Sequence, residues 1–252
     1  MISVVVLTKN EEKNIQECLG GLRWGDEILV IDDNSSDKTR VLAQKLGARV
    51  LEHPLGNDFA QQRNFGLQQA SYDWIFFVDA DERVSPKLAE EIKKKISRTT
   101  CSGFYFKRID FFMGRWLRHG EIDKIRILRL ARRGSGQWER SVDEKWRVEG
   151  ETGTFKNPLF HYPHQTLSEF LTSINERSDL NAECFYQEGK KVSFWEWLKP
   201  LAKFVWNYFF LFGFLDKTAG LVFGVLMSLH SFLVRGKLYL LWRRRGGWKD
   251  KK

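Results

Sequence analysis

The sequence predicts an α/β fold, with a mostly parallel sheet carrying helices on both faces and a helical C-terminal region appended to it. Three observations predict this. Short β-branched runs alternate with helix-length segments through the first hundred residues. Three of those runs end in polar or acidic clusters. Residues 191–252 then change character, becoming first aromatic and finally basic.

Residues 2–7 (ISVVVL) form a β-branched run suited to a strand buried on both faces. A polar loop follows, then a helical segment to about Leu22. Residues 27–32 (EILVID) are the second strand. Residues 37–46 read as a helix closed by Gly47. Residues 48–52 form a third strand, 59–70 a helix and 74–78 (WIFFV) a fourth strand. Ser85-Pro86 opens the next helix, with serine as N-cap and proline at the first helical position. Right-handed crossovers follow from this alternation. GFYFKRIDFF (103–112) and KIRILRLARRG (124–134) read as strands of a second section. TLSE (166–169) is a capping-box pattern that starts a helix running to about Gly189. The domain boundary is drawn at 190: residues 1–190 form the α/β domain, and residues 191–252 the C-terminal region.

Composition narrows the partners. The net charge is +9, and residues 235–252 carry eight basic residues against Asp250 alone. The excess therefore belongs to the tail and not to a groove along the domain, which argues against nucleic acid as a partner and for an anionic membrane surface. Cys18, Cys101 and Cys184 lie far apart, which fits neither a disulfide framework nor a zinc site and points to a reducing compartment. No signal peptide is expected from MISVVVLTKNEEKN. Trp195, Trp197, Trp206, Phe209, Phe210 and Phe212 form an aromatic belt. Residues 218–234 are 17 residues without a formal charge, short of the roughly 20 a bilayer span needs. Helices in the membrane interface, or a shallow hairpin, are expected, with the basic tail at the headgroups. Packing on the rest of the chain, or in an oligomer, is the alternative.

Ligands of open parallel sheets bind beyond the carboxyl ends of the strands. Those ends carry Thr8, Lys9, Asn10 and Glu11 after the first strand, Asp32, Asp33, Asn34 and Ser35 after the second, and Asp79 and Asp81 after the fourth. The first loop lacks glycine, so it is neither a dinucleotide turn nor a P-loop. Asp32 and Asp33 read equally as acceptors for a base N–H or ribose hydroxyl and as a turn with a helix cap. Asp79-x-Asp81 suits Mg²⁺ or Mn²⁺, which bind one or two carboxylates and complete their shell with phosphates and water.

VVVLTKNEEKNI, ILVIDDNSSDKT, AQQRNFGLQQA and WIFFVDADERV occur in this order. Together they resemble the inverting family-two glycosyltransferases, with their GT-A (Rossmann-like) nucleotide-sugar-binding fold. The likeness is specific over residues 1–98 and continues more weakly to about 188. SVDEKWRVEG and LFHYPHQTLSEFL are similar to segments of the bacterial lipopolysaccharide-core glucosyltransferases, although Asp143 stands where that group usually has histidine. The resemblance implies that Thr8, Asn10 and Glu11 line a nucleotide pocket. Asp33, helped by Asp32, would hold the uracil or ribose, and Arg63 would face the base or diphosphate. Asp79 and Asp81 would serve sugar and metal, with Asp81 the preferred ligand and His161 within reach of the metal. Glu144, with Asp143 as alternate, would be the base that deprotonates the acceptor. Arg108, Arg115, Arg118, Lys124, Arg126 and Arg129 would meet phosphates on an acidic acceptor, or else form ordinary solvated faces.

The expected activity is metal-dependent inverting transfer of a sugar, glucose first, from a UDP-sugar to a lipid-linked saccharide such as lipopolysaccharide core. The expected location is the cytoplasmic face of the inner membrane, peripheral or shallowly inserted. A polyprenyl-phosphate acceptor, a nucleotidyltransferase and a non-catalytic membrane scaffold are the competing readings.

Overall fold

The β-branched run at the N-terminus becomes the centre of the sheet in the computed structural model, which describes residues 1–163 and 166–245. In chain order the elements are β1 (Ile2–Thr8), α1 (Ile15–Gly20), β2 (Glu27–Asp32), α2 (Thr39–Lys45), β3 (Arg49–Glu52), α3 (Phe59–Gln69), β4 (Trp74–Asp79), β5 (Glu82–Arg83) and α4 (Pro86–Ile96). They continue with β6 (Gly103–Phe112), β7 (Arg115–Trp116), β8 (Arg126–Arg132), β9 (Gly136–Glu139), β10 (Lys145–Val148), β11 (Thr152–Thr154), β12 (Leu159–His161), α5 (Leu167–Gln187), α6 (Lys199–Val205) and α7 (Lys217–Arg244). Two compact units result, one from residues 1–110 and 125–162, the other from residues 111–124 and those after 162.

In the first unit the strand order is β3-β2-β1-β4-β8-β6-β12-β5. The first four strands are mutually parallel, and β8 runs antiparallel to both of its neighbours, β4 and β6. Val4 and Val6 point to one side of β1, into a core with Ile15, Leu19, Leu88 and Ile92. Val5 points to the other side and packs with Leu29, Ile31, Phe77 and Ala60. Covering both faces with helices removes the alternation of polar and apolar residues that a one-sided sheet would show. Ser85 accepts the Leu88 N–H at 3.2 Å and so caps α4, as its position before Pro86 predicts.

Two short pairings had no counterpart in the sequence pattern. β12 runs parallel to β6, setting His161 opposite Asp110, and antiparallel to β5, setting His161 opposite Glu82. The turn leading into β12 is fixed from α4. Glu91 Oε1 accepts the Lys156 N–H at 2.9 Å, and Oε2 accepts the Asn157 N–H at 3.0 Å and its side-chain amide at 2.7 Å. Burial opposes ionisation of Glu91, but these donors outweigh it and hold the carboxyl at about 2. With the folded value depressed, this contribution to stability is present above about pH 4.5 and is lost as pH falls towards 2. Glu91→Gln is expected to flatten the acid limb of a stability–pH profile from denaturant unfolding between those values and to leave the neutral plateau lower.

In the second unit Thr166 and Glu169 form the capping box anticipated for α5. α5 belongs with the helices that follow it: Ala182, Val192 and Leu238 share a core with Tyr186, Trp197 and Trp242. α5 thus falls in the second compact unit, together with residues 111–124. α7 is one continuous helix of 28 residues and, by length and composition, the one helix among the described residues able to cross a membrane. Arg115 donates to the Asp216 carbonyl, and the buried Asp216 carboxylate accepts the Arg118 and His119 N–H groups. The tail residues Lys249, Asp250, Lys251 and Lys252, and His164 and Gln165 of the LFHYPHQ segment, lie outside the described residues.

Gly220 sets how closely α7 approaches the preceding turn. A Cβ there would sit 2.0 Å from the Gly213 carbonyl oxygen. Alanine normally gains about 1 kcal/mol over glycine within a helix. Here the clash is expected to reverse the sign, so that Gly220→Ala lowers stability by roughly 1–3 kcal/mol, measured as a lower thermal midpoint.

Candidate active site

β2, β1 and β4 lie side by side with Thr8 opposite Asp32 and Leu7 opposite Asp79, so their carboxyl ends form one rim. Adjacent strands are about 4.8 Å apart, which brings the three clusters read from the sequence together. Asp32 is wholly buried. Its Oδ1 accepts the Thr8 hydroxyl at 3.0 Å and the Ser35 hydroxyl at 2.6 Å, and its Oδ2 accepts the Ser35 N–H at 2.8 Å. That carboxylate shapes the turn. Asp33 is the more available of the pair: its Oδ1 accepts the Leu55 N–H at 2.8 Å, and its Oδ2 lies 2.8 Å from Lys9 Nζ. Asn10, at φ 54°, joins the two loops through the Ser36 N–H. Glu11 donates its N–H to Thr39 and accepts from Asn14. Burial chiefly, and the nearby Asp81 charge in part, push the Glu11 carboxyl up to about 7 against the pull of Asn14.

The second cluster is built on Asp79. Arg63 Nη2 donates to its Oδ1 at 3.0 Å, and Arg129 Nη2 donates to its Oδ2 at 2.6 Å. Its N–H goes to Glu82 Oε2 at 2.9 Å. Burial opposes ionisation of Asp79, yet Arg129 and then Arg63 outweigh it and hold the carboxyl far below the usual range. Glu82, wholly buried beside Asp79, is pushed the other way to about 7, first by burial and then by the Asp79 charge. Arg63 reaches a second acid, donating from Nε to Glu144 Oε1 at 2.8 Å. Its guanidinium lies 4.8 Å above the Trp138 ring, and Trp138 stacks on Trp146 across the β9–β10 hairpin. Nη1 of both Arg63 and Arg129 is buried without a hydrogen-bond acceptor. Asp143, one residue before Glu144, is exposed at φ 51°.

Asp81 and His161 form the third group. His161 Nε2 is 3.1 Å from Asp81 Oδ2, and its Nδ1 is 3.0 Å from Asp110 Oδ1. Asp110 also receives Arg108 Nε at 3.1 Å. Burial disfavours a charged imidazole, but Asp81 and Asp110 outweigh it and push the His161 ring up to about 10. Among the described residues no three or more His, Cys, Asp or Glu side chains converge as a ready-made metal site. Adjacent ligands of an octahedral ion at about 2.1 Å are themselves about 3 Å apart, and the Asp81–His161 separation matches that edge. Both oxygens of Asp79 are directed at arginines.

Every acid of this constellation except Glu82 and Asp110 stands out in the sequence. Arg129 and Arg108 stand there only among a crowd of cations. The signal for Glu82 was its position in DADE, and Asp110 carried none. A separate cleft of about 400 Å³ is lined by residues that include His53, Asp58, Asn64, Phe65, Trp138 and Arg140 and by none of Asp33, Asp79 or Asp81.

The sequence matches the model of glycosyl transferase family 2 over residues 3–149. Among curated proteins it is 28% identical over 255 residues to the lipopolysaccharide core biosynthesis glycosyltransferase LpsC of Rhizobium meliloti (strain 1021), covering 94% of this chain and 92% of that one. It is 26% identical to an uncharacterized glycosyltransferase of Rickettsia bellii (strain RML369-C), covering 94% and 85%. Two solved structures share the fold. The mannosyltransferase PcManGT from Pyrobaculum calidifontis, in complex with GDP-Man and Mn²⁺, gives a TM-score of 0.56 at 14% identity, covering 96% of this chain and 87% of that one. S. aureus TarS 1–349 in complex with UDP-GlcNAc gives 0.53 at 13%, covering 99% and 93%. The fold is GT-A, as the motifs imply, and the chain is a member of glycosyl transferase family 2.

Proposed function

We propose that the protein is a metal-dependent inverting hexosyltransferase. It moves a sugar, glucose first among the candidates, from a UDP-sugar to a lipid-linked saccharide such as lipopolysaccharide core, at the cytoplasmic face of the inner membrane. The observation that carries the reading is Arg63, whose one guanidinium binds Asp79 on the donor rim and Glu144, the candidate base. Asp79 as the group that holds the sugar and Glu144 as the group that deprotonates the acceptor would then lie beside each other, which supports the reading. The relationship to LpsC supports the acceptor class.

Asp33 would take the nucleoside, and Thr8, Asn10, Asp32 and Glu11 would shape its loop. Asp79, kept ionised and immobile by two arginines, would accept hydrogen bonds from the sugar or ribose hydroxyls. The free Nη1 groups of Arg63 and Arg129 offer donors to diphosphate oxygens. Asp81 would hold the divalent ion, and His161 would join it through Nε2 only once the ion has displaced the proton there, with Nδ1–H kept on Asp110. A carboxylate with an imidazole favours Mn²⁺ over Mg²⁺, and Mn²⁺ accompanies the sugar nucleotide in PcManGT. When bound, such an ion stabilises charge on the departing diphosphate. Glu144 would take the proton of the attacking hydroxyl, with the anomeric carbon inverted in one displacement.

A donor screen with lipid extracts and Mn²⁺ tests this, read by mass spectrometry of the product. A glycosylated lipid with release of nucleoside diphosphate is expected. Pyrophosphate release would instead indicate nucleotidyl transfer, and transfer to polyprenyl phosphate alone would replace the acceptor.

A further inference from the structure

Residues 204–215 (FVWNYFFLFGFL) carry no charge, and their apolar side chains are turned outward. Phe210 is 62% exposed, Trp206 57% and Phe212 56%. Phe212 sits at φ 58°, an unfavourable region for a bulky side chain, with its ring exposed all the same. The backbone of this segment is meanwhile closed on itself. The Leu211 N–H bonds to Trp206 O, the Phe212 N–H to Phe209 O and the Leu215 N–H to Phe212 O, while Leu211 O accepts the Gly120 N–H. Outward apolar side chains over a hydrogen-bonded backbone are what an apolar phase tolerates.

α7 adds a matching face. Leu221, Val225, Phe232 and Leu240 are its exposed large apolar residues, and at 100° per residue they fall within one stripe about 100° wide. Of its buried residues, Gly220, Val234 and Leu238 lie on the opposite side. There the C-terminal half of α7 is tied to charged partners. Lys237 Nζ is 2.8 Å from Asp179, Arg245 Nη1 is 3.0 Å from Glu183, and Arg235 Nη2 is 3.3 Å from Glu196. Were α7 to span a bilayer, these acids would enter hydrocarbon or the pairs would break. Lys217, next to the buried Asp216, borders the charge-free run on one side; Lys203, 3.2 Å from Glu121, and Lys199, paired with Glu196, border it on the other, and Arg243 and Arg244 close the stripe.

We propose that this unit is a monotopic membrane module. In this arrangement α7 lies in the plane of one leaflet, its apolar stripe and residues 204–215 enter the acyl boundary, and the bordering lysines and arginines contact anionic headgroups, without a transmembrane span. The proposal rests on the reading of a lipid-linked acceptor only for the purpose of membrane residence, and its test does not depend on turnover.

The test is flotation of the full-length protein with phosphatidylcholine vesicles and with vesicles of 3:1 phosphatidylcholine to phosphatidylglycerol. Binding to the anionic vesicles at least tenfold tighter than to the neutral ones is expected. Phe209→Glu with Phe210→Glu, and separately Phe232→Glu, are each expected to weaken it at least tenfold while UDP binding stays within twofold of wild type. Leu201→Glu, at a side chain 64% exposed, carries the same test if the double variant does not fold. A C-terminal tag on vesicle-bound protein is expected to be cleaved by added protease. Absence of vesicle binding, undiminished binding by the variants, a protected C-terminal tag, or an apolar-face dimer that excludes vesicles would each overturn the proposal. Failure of the donor screen alone would leave it standing.

Discussion

Asp81→Ala is expected to reduce metal-dependent sugar transfer at least 1,000-fold, with the fold intact. Charge stabilisation by a bound cation supplies several kcal/mol to a transition state, and each 1.36 kcal/mol is tenfold in rate. The fold survives because Asp81 is not a packing residue and because His161, on losing it, keeps Asp110 at 3.0 Å. The check has two parts: turnover against Mn²⁺ concentration, and a thermal melt. Activity within tenfold of wild type at saturating Mn²⁺ would remove Asp81 from the site. A collapsed melt would show that Asp81 is structural instead.

Arg63→Ala is expected to act on stability as well as turnover. Arg63 is 3% exposed and neutralises two acids. Removing one partner of a buried ion pair costs about 3–5 kcal/mol, because the other charge is left uncompensated. Arg129 still holds Asp79 at 2.6 Å, so the loss falls mainly on Glu144 and on the stack over Trp138. Arg63→Lys is expected to recover little, since an ammonium cannot present two directed N–H groups to two carboxylates. Denaturant unfolding measures the first effect and product formation the second. A loss below about 1 kcal/mol would mean that the pair behaves like a solvated surface bridge.

The division between what could be read from the residues and what could not follows the range of the interactions. β1, β2 and β4 declare themselves because each is a run of β-branched and aromatic residues buried on both faces, as Val4, Val5 and Val6 are. Ser85 and Thr166 declare their helices because a cap bonds three residues away. From strand order alone the rim could be placed, and with it Asp33, Asp79 and Asp81. β5 and β12 could not, since strands of two and three residues carry no period. His161 reaches Asp81 across 80 positions, and only the parallel pairing of β12 with β6 brings it there. Arg129 looked like one cation among many because its partner lies 50 residues away on a neighbouring strand. That α5 falls in the second unit was hidden for a related reason. α5 is amphipathic enough to cap the α/β domain, and its partner α7 begins 30 residues after α5 ends.

Glu82 and Glu11 show the electrostatic side of this site. Both carboxyls are raised to about 7 by burial, while Asp79, a few ångströms from Glu82, is driven down by two arginines. A cluster whose acids are pushed apart in this way assigns roles by environment. Asp79 is a fixed anion, and Glu82 is a poor anion that accepts the Asp79 N–H.

The most direct test of the central claim is Glu144→Gln, measured as single-turnover transfer alongside the donor dissociation constant in Mn²⁺. Base removal is expected to slow transfer by about 10²–10⁴-fold and to leave donor affinity within threefold of wild type. Transfer at the wild-type rate, or a donor affinity that falls in step with the rate, would contradict it.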